Sequence, residues 1–235
     1  MSTYLALCQK FRKKVGISGS GPTAVTGQSG MNEKITIWIA DAEEWILRQW
    51  EDWSFMFVPK TIITATAGTS VFTLSALSIT DLARWRRSTF VRDPGTADRQ
   101  NLEYKTNYED YLMSPEYLDE EVTGSIEKVI IRTTDDAVIF YPTPTANTTV
   151  WAGYYQTATR LAANTSESPI PARFEDIILS RAKMDYAEHL EDTNLYAIAE
   201  KDFLRDMNRL ESKCAPSFGG NYMSNNDVQE DITVE

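Results

Sequence analysis

The sequence is poor in the residues that hold metals and cross-links. It has one histidine, His189, and two cysteines, Cys8 and Cys214, which stand near opposite ends and outside any CxxC pair. A structural zinc site draws four Cys or His ligands at short spacings, so no metal or other cofactor is expected. A disulfide is not expected in a reducing compartment, and the two thiols read as small buried side chains. Positive charge is also short. Lys and Arg number 23 against 34 Asp and Glu, a net charge of −11. A protein that reads nucleic-acid sequence shows a basic face, and this balance argues against one. It does not argue against a protein past which DNA moves without being gripped. No apolar run approaches the ~18 residues that suggest a membrane span. The opening MSTYLALCQKFRKK puts its charges after its apolar residues, the reverse of a secretory signal. The chain is therefore expected to stay in the cytoplasm where it is made, unless it leaves within a larger object.

What is present is a folding composition. The 235 residues are 42 % apolar and include six Trp and eleven Tyr, enough for one large domain or two small ones. Tyr4, Leu7, Cys8, Phe11 and Val15 mark one face of a helix over 3–15, which ends at Gly16. A second, Trp-rich helix is predicted over 32–53, with Ile35, Trp38, Ile39, Ala42, Trp45, Ile46, Gln49 and Trp53 on its stripe and Asp41, Glu43, Glu44, Arg48 and Glu51 off it. Bulky core or interface packing is the expected use of that stripe. From Phe55 the period changes to two. KTIITAT and SVFTLS read as a hairpin across AGT, and LARWRRSTFVR as a strand. NYEDYLMSPEYLDEE reads as a short acidic helix or loop. EKVIIRT and VIFYP form a hairpin that sets Val129 and Ile131 against Val138 and Phe140 across Asp135-Asp136. TTVWAGYYQTAT is a strand with bulky residues on both faces. Helix resumes at 172 after Pro171. Thr193 is placed as the cap of a last helix whose Tyr196, Ala199, Phe203, Met207, Leu210 and Cys214 form a packing seam.

The fold class expected is α+β. Terminal helices, 1–55 and 170–214, form a bundle. A β-rich lobe, 56–169, is inserted between them, and 215–235 is an extended tail. That tail has four acids and no base, and its composition should not fold alone.

Tests for chemistry come out negative. GPTAVTGQSG looks like a phosphate loop, but five residues rather than four separate Gly21 from Gly27. Gln28 stands where the lysine belongs, and a helix precedes it where a buried strand is needed. Gly19, Gly21, Gly27 and Gly30 are read instead as positions of positive φ in a reversing loop. His189, flanked by Glu188 and Glu191, reads as a solvated helix residue. Asp135-Asp136 is turn chemistry, and Glu43-Glu44 lies on a polar helix face. The one basic cluster is Arg84, Arg86, Arg87 and Arg92 with Trp85 and Phe90 interleaved. It suits a nucleic-acid backbone or the acidic residues of a neighbouring subunit, and the net charge favours the second.

The order of four stretches resembles the head-to-tail adaptor proteins of short-tailed double-stranded DNA bacteriophages. An opening helix runs into VGISGSGPTAVTGQSG. A Trp-rich helix ends WILRQWEDWSFM. A strand and proline turn read VIFYPTPTANTTVWAGYY. Then TATRLAANTSESPIPARFEDIILSRAKMDYAEHLED leads into the final helices. The resemblance spans about residues 1–210, with 56–125 matching only in β character. It implies a structural virion protein of the neck, not an enzyme. It further implies a ring of roughly twelve copies, closed head to tail, that joins the portal to the tail proteins while DNA passes through. On that reading Phe218, Tyr222, Met223, Val228, Ile232 and Val234 drop into separate pockets of the portal or an adjacent subunit, or add to a sheet edge. Arg84, Arg86 and Arg87 complete the expected interface. The alternatives are another virion module, such as a fibre-attachment or glycan-binding lobe, which exposed aromatics on TTVWAGYYQ would favour, or an enzyme with converging carboxylates.

Overall fold

A computed structural model describes residues 2–215 apart from 20, 94, 95, 98, 106, 107 and 114–121. Helices α1 (Tyr4–Lys14), α2 (Gly30–Leu47), α4 (Asp176–His189) and α5 (Thr193–Cys214) pack together, and a short helix α3 (Tyr108–Met113) lies among the strands. The predicted stripes form the helical core: Leu7, Cys8, Phe11, Ile35, Ile39, Ala42, Ile46, Ala199, Phe203, Met207, Leu210 and Cys214 are buried in one cluster. Helix α4 fills its centre, with Ile177, Ile178, Leu179 and Ala182 all inaccessible.

Three helix ends differ from the periodicity. Helix α2 stops at Leu47, six residues before Trp53. There the indole N–H of Trp53 donates to the Leu47 carbonyl at 3.1 Å, and its ring stacks on Phe55 at 5.4 Å. Burying that indole completely outweighs carrying the helix six residues further. The last helix is capped by Asp192 rather than Thr193, its carboxylate accepting from Leu195 N at 2.9 Å; an aspartate is the stronger cap of the two. Thr3 caps α1 by accepting from Ala6 N.

The strands form two four-stranded sheets. One has the order β1 (Phe57–Ala65), β10 (Thr148–Gln156), β3 (Leu82–Arg92), β4 (Gln100–Asn101); the other has β2 (Val71–Phe72), β8 (Val138–Tyr141), β7 (Lys128–Ile131), β5 (Glu103–Lys105). A small pair joins β6 (Thr123–Gly124) to β9 (Thr143–Pro144). The β7–β8 hairpin has the predicted register, Val129 opposite Phe140 and Ile131 opposite Val138.

The hairpin expected across AGT does not form. A turn does close there, with Thr69 N donating to Thr66 O. The chain then crosses between sheets, so β1 pairs with β10 and β2 with β8. The reason is burial: Ile63 and Ala65 from one sheet and Phe72 from the other enter one core with Trp85, Phe90, Val129, Val138, Phe140, Val150, Ala152 and Tyr154. A local hairpin would have kept both strands in one sheet, where they could not cover this core from opposite sides.

Candidate functional site

Alternation along β10 sends Val150, Ala152 and Tyr154 into the core between the sheets, and Trp151, Gly153 and Tyr155 to the opposite, outer face. Register carries that outer face across three strands. Ile62 of β1 stands opposite Trp151, Phe57 opposite Tyr155, Arg86 of β3 opposite Gly153, and Arg84 opposite Tyr155. Cations sit over rings along it. The Arg84 guanidinium lies 5.5 Å from the Tyr155 ring, Arg86 5.0 Å from Phe57, and the Lys60 ammonium 5.0 Å from Trp151.

Gly153 makes this stack possible. Phe57 lies so close that a Cβ on Gly153 would come within 2.7 Å of two ring carbons. The β3 strand bulges beside it. The Thr89 hydroxyl fills the bulge, donating to Arg86 O at 2.5 Å and accepting from Gly153 N at 2.7 Å.

The structure separates the predicted arginines. Arg84 pairs with Asp52 of its own chain at 2.8 Å, a bond that ties the sheet to the segment following α2. Arg86 is exposed on the outer face. Arg87 turns to the other sheet and lies 4.7 Å from the Tyr104 ring. Arg92 donates to Ile126 O at 2.7 Å. Phe218, Tyr222, Met223, Val228, Ile232 and Val234 lie outside the described residues. Lys60 and Ile62, which sequence reasoning did not single out, belong to this face. Their signal was their place in a strand beside Trp151, visible only once β1 and β10 are paired.

The Gly-rich loop is held by a cation, not built to hold an anion. Arg12, almost wholly buried, donates to the carbonyls of Ile17 and Ser18 and to Asn32 Oδ1. Gln9 donates to Pro22 O, and Asn164 accepts from Val25 N. Gly16, Gly19, Gly27 and Gly30 have positive φ, and Gly21 does not. Gly21 instead packs against the aliphatic stems of Arg12 and Gln9.

Glu43 corrects the sequence reading. It is inaccessible to solvent, four residues after Ile39 and three before Ile46, on the apolar stripe rather than the polar face. Burial pushes its carboxyl up to about 7, while Ser168 and the Leu161 backbone offset part of that. Neither oxygen closes a hydrogen bond of normal geometry. Its neighbour Glu44 does lie on the charged side, 2.6 Å from Arg48.

A surface groove of about 690 Å3 runs between α2 and α4 over Trp38 and Trp45, rimmed by Lys34, Asp41, Arg181, Asp185, Glu188 and His189. His189 is exposed and lies 5.6 Å from the Trp38 ring. Among the described residues no cluster of three or more His, Cys, Asp or Glu could hold a metal ion. No helix there is long and apolar enough to cross a membrane.

A comparison with curated proteins finds no match. A family model described as the SU10 adaptor protein matches residues 2–223, nearly the whole length, taking in both cores and the outer sheet face. The chain belongs to the SU10 adaptor protein family.

Proposed function

We propose that this chain is a bacteriophage head-to-tail adaptor. Roughly twelve copies form a ring that joins the portal to the tail proteins and passes DNA through its centre. The family match over residues 2–223 carries this reading. The charge supports it. At −11 per copy, a ring concentrates negative potential around its lumen, and phosphates are repelled rather than held. In this reading 1–55 and 170–214 form the helical unit, 56–169 the β lobe, and 215–235 a tail that engages portal or neighbour. Ring and tail residues act as structure, without catalysis, and the protein works in the virion neck after assembly in the host cytoplasm.

A fibre-attachment or glycan-binding role lacks the exposed aromatic platform it needs on β10. Trp151 is half-buried under Lys60, and Tyr154 and Tyr155 are buried. The test is light scattering of the purified protein, alone and mixed with portal rings, with electron microscopy of the mixture. The expected outcome is a monomer or weak associate alone and a ring on the portal. A free protein that already runs as a stable dodecamer at micromolar concentration would contradict assembly on the portal.

A further inference from the structure

Glu175, just ahead of α4, is a carboxylate almost wholly out of water, 4 % exposed. Both of its oxygens are held by one distant residue. The Ser2 backbone N–H donates to Oε1 and the Ser2 hydroxyl to Oε2, each at 2.6 Å. Two accepting oxygens are the pattern of the ionised group. The N-terminal end of α4 supplies part of the opposite charge. Among the described residues no basic side chain forms an ion pair with Glu175; Lys10 pairs with the next residue, Asp176, at 2.8 Å. A carboxylate buried without a full countercharge is costly. The 2.6 Å contact to Ser2 N is also short for a neutral amide, whose bonds run near ~2.9–3.0 Å, and belongs with charge-assisted ones at ~2.7–2.9 Å. The attachment continues along the chain: Thr3 bridges to Glu167, and Tyr4 N donates to Ser166 O at 2.7 Å.

We propose that the Met1–Ser2 bond is a processing site, and that Glu175 is the seat of the α-ammonium that processing leaves on Ser2. Water adds across the peptide bond. The methionine side leaves with a free carboxylate, and the Ser2 nitrogen gains protons to become the missing cation. The bond joins methionine to a small residue, the kind that methionine aminopeptidases cut. The cut needs no access to the folded protein, because it acts on the chain before Ser2 is buried. Once folded, the ammonium keeps the donor position that the amide N–H has against Oε1 and adds a full charge to it. The ion pair then fastens the start of α1 to 164–175, the segment that leads into α4. Thr3, whose side chain caps α1, follows directly on this anchor, so the pair also fixes where that helix begins.

The test has two arms. Intact-mass spectrometry of the full chain made in bacteria without a fusion reads the processing, and a mass starting at Ser2 is expected. Retained methionine overturns the proposal. For the second arm the full chain is released from a cleavable fusion in two forms, one starting at Ser2 and one at Met1, each with and without Glu175→Gln. Urea denaturation at pH 7 compares the four. The Ser2 form is expected to have an unfolding constant at least tenfold lower than the Met1 form, and Glu175→Gln is expected to shrink that ratio below twofold. Equal unfolding of the two forms overturns the ion pair, and a tenfold ratio that survives Glu175→Gln overturns Glu175 as its acceptor. If the Glu175→Gln chains do not fold, acetylation of the Ser2 amine, which removes its charge, takes their place. Loss of the tenfold advantage then supports the pair, and its persistence overturns it.

Discussion

Phe57 and Gly153, 96 positions apart in the chain, meet so closely that the ring occupies the space a side chain at 153 would need. The ring is also in contact with Tyr155, centroids 5.2 Å apart, and lies under Arg86. The missing side chain at Gly153 therefore seats Phe57 between Tyr155 and Arg86.

Gly153→Ala is expected to destabilise the fold by about 1–3 kcal/mol, the usual cost of overpacking. In an open strand the same change would stabilise by about 0.4–1 kcal/mol through the unfolded chain, so the sign is diagnostic. Urea denaturation measures it. In a Phe57→Ala background the penalty should shrink, and a penalty of equal size in both backgrounds would remove Phe57 as its cause.

Glu43 makes stability depend on pH. Its carboxyl stands at about 7 in the folded protein against an ordinary value of 4.5. The folded state therefore binds this proton more tightly than the unfolded chain does. The contribution is fully present below pH 4.5, is lost as pH rises through 7, and is level above that. Between pH 4.5 and 8 the expected loss from this one group is about 3 kcal/mol. Glu43→Gln should remove that part of the slope and be more stable than the parent at pH 8. Denaturant curves for both proteins at pH 5 and pH 8 decide it. Parallel behaviour of variant and parent would assign the slope to other groups.

Nucleotides should leave the protein unmoved. With Arg12 filling the Gly-rich loop and donating to its carbonyls, ATP or GTP with magnesium is expected to shift the melting temperature by nothing measurable. A rise of several degrees at millimolar nucleotide would mean that the folded state binds it.

Removing residues 215–235 should leave the melting temperature nearly unchanged, because the helical core closes at Leu210 and Cys214. Attachment to portal rings should weaken, as read by co-sedimentation. A truncated chain that sediments as well as the full one would show that the tail carries no part of the contact.

Some of this molecule was determined by sequence alone. The stripe of α1, the seam of α5 and the β7–β8 register all follow from local spacing, because neighbours in a helix or tight hairpin are fixed by 3.6- or two-residue periods. The family-level order of elements was legible for the same reason. The outer face and the buried carboxylate were not. Glu43 stood at core spacing between Ile39 and Ile46, yet its residue type argued for water, and the distant Leu161 and Ser168 that lie beside it are brought there by tertiary structure. β1 carried every local mark of a hairpin partner for β2. Its pairing with β10, and with it the meeting of Lys60, Phe57, Arg86 and Trp151, was decided by tertiary structure. Two half-buried strands gain more by covering different faces of one core than by covering each other's edges, and that comparison exists only when the distant strands are in place.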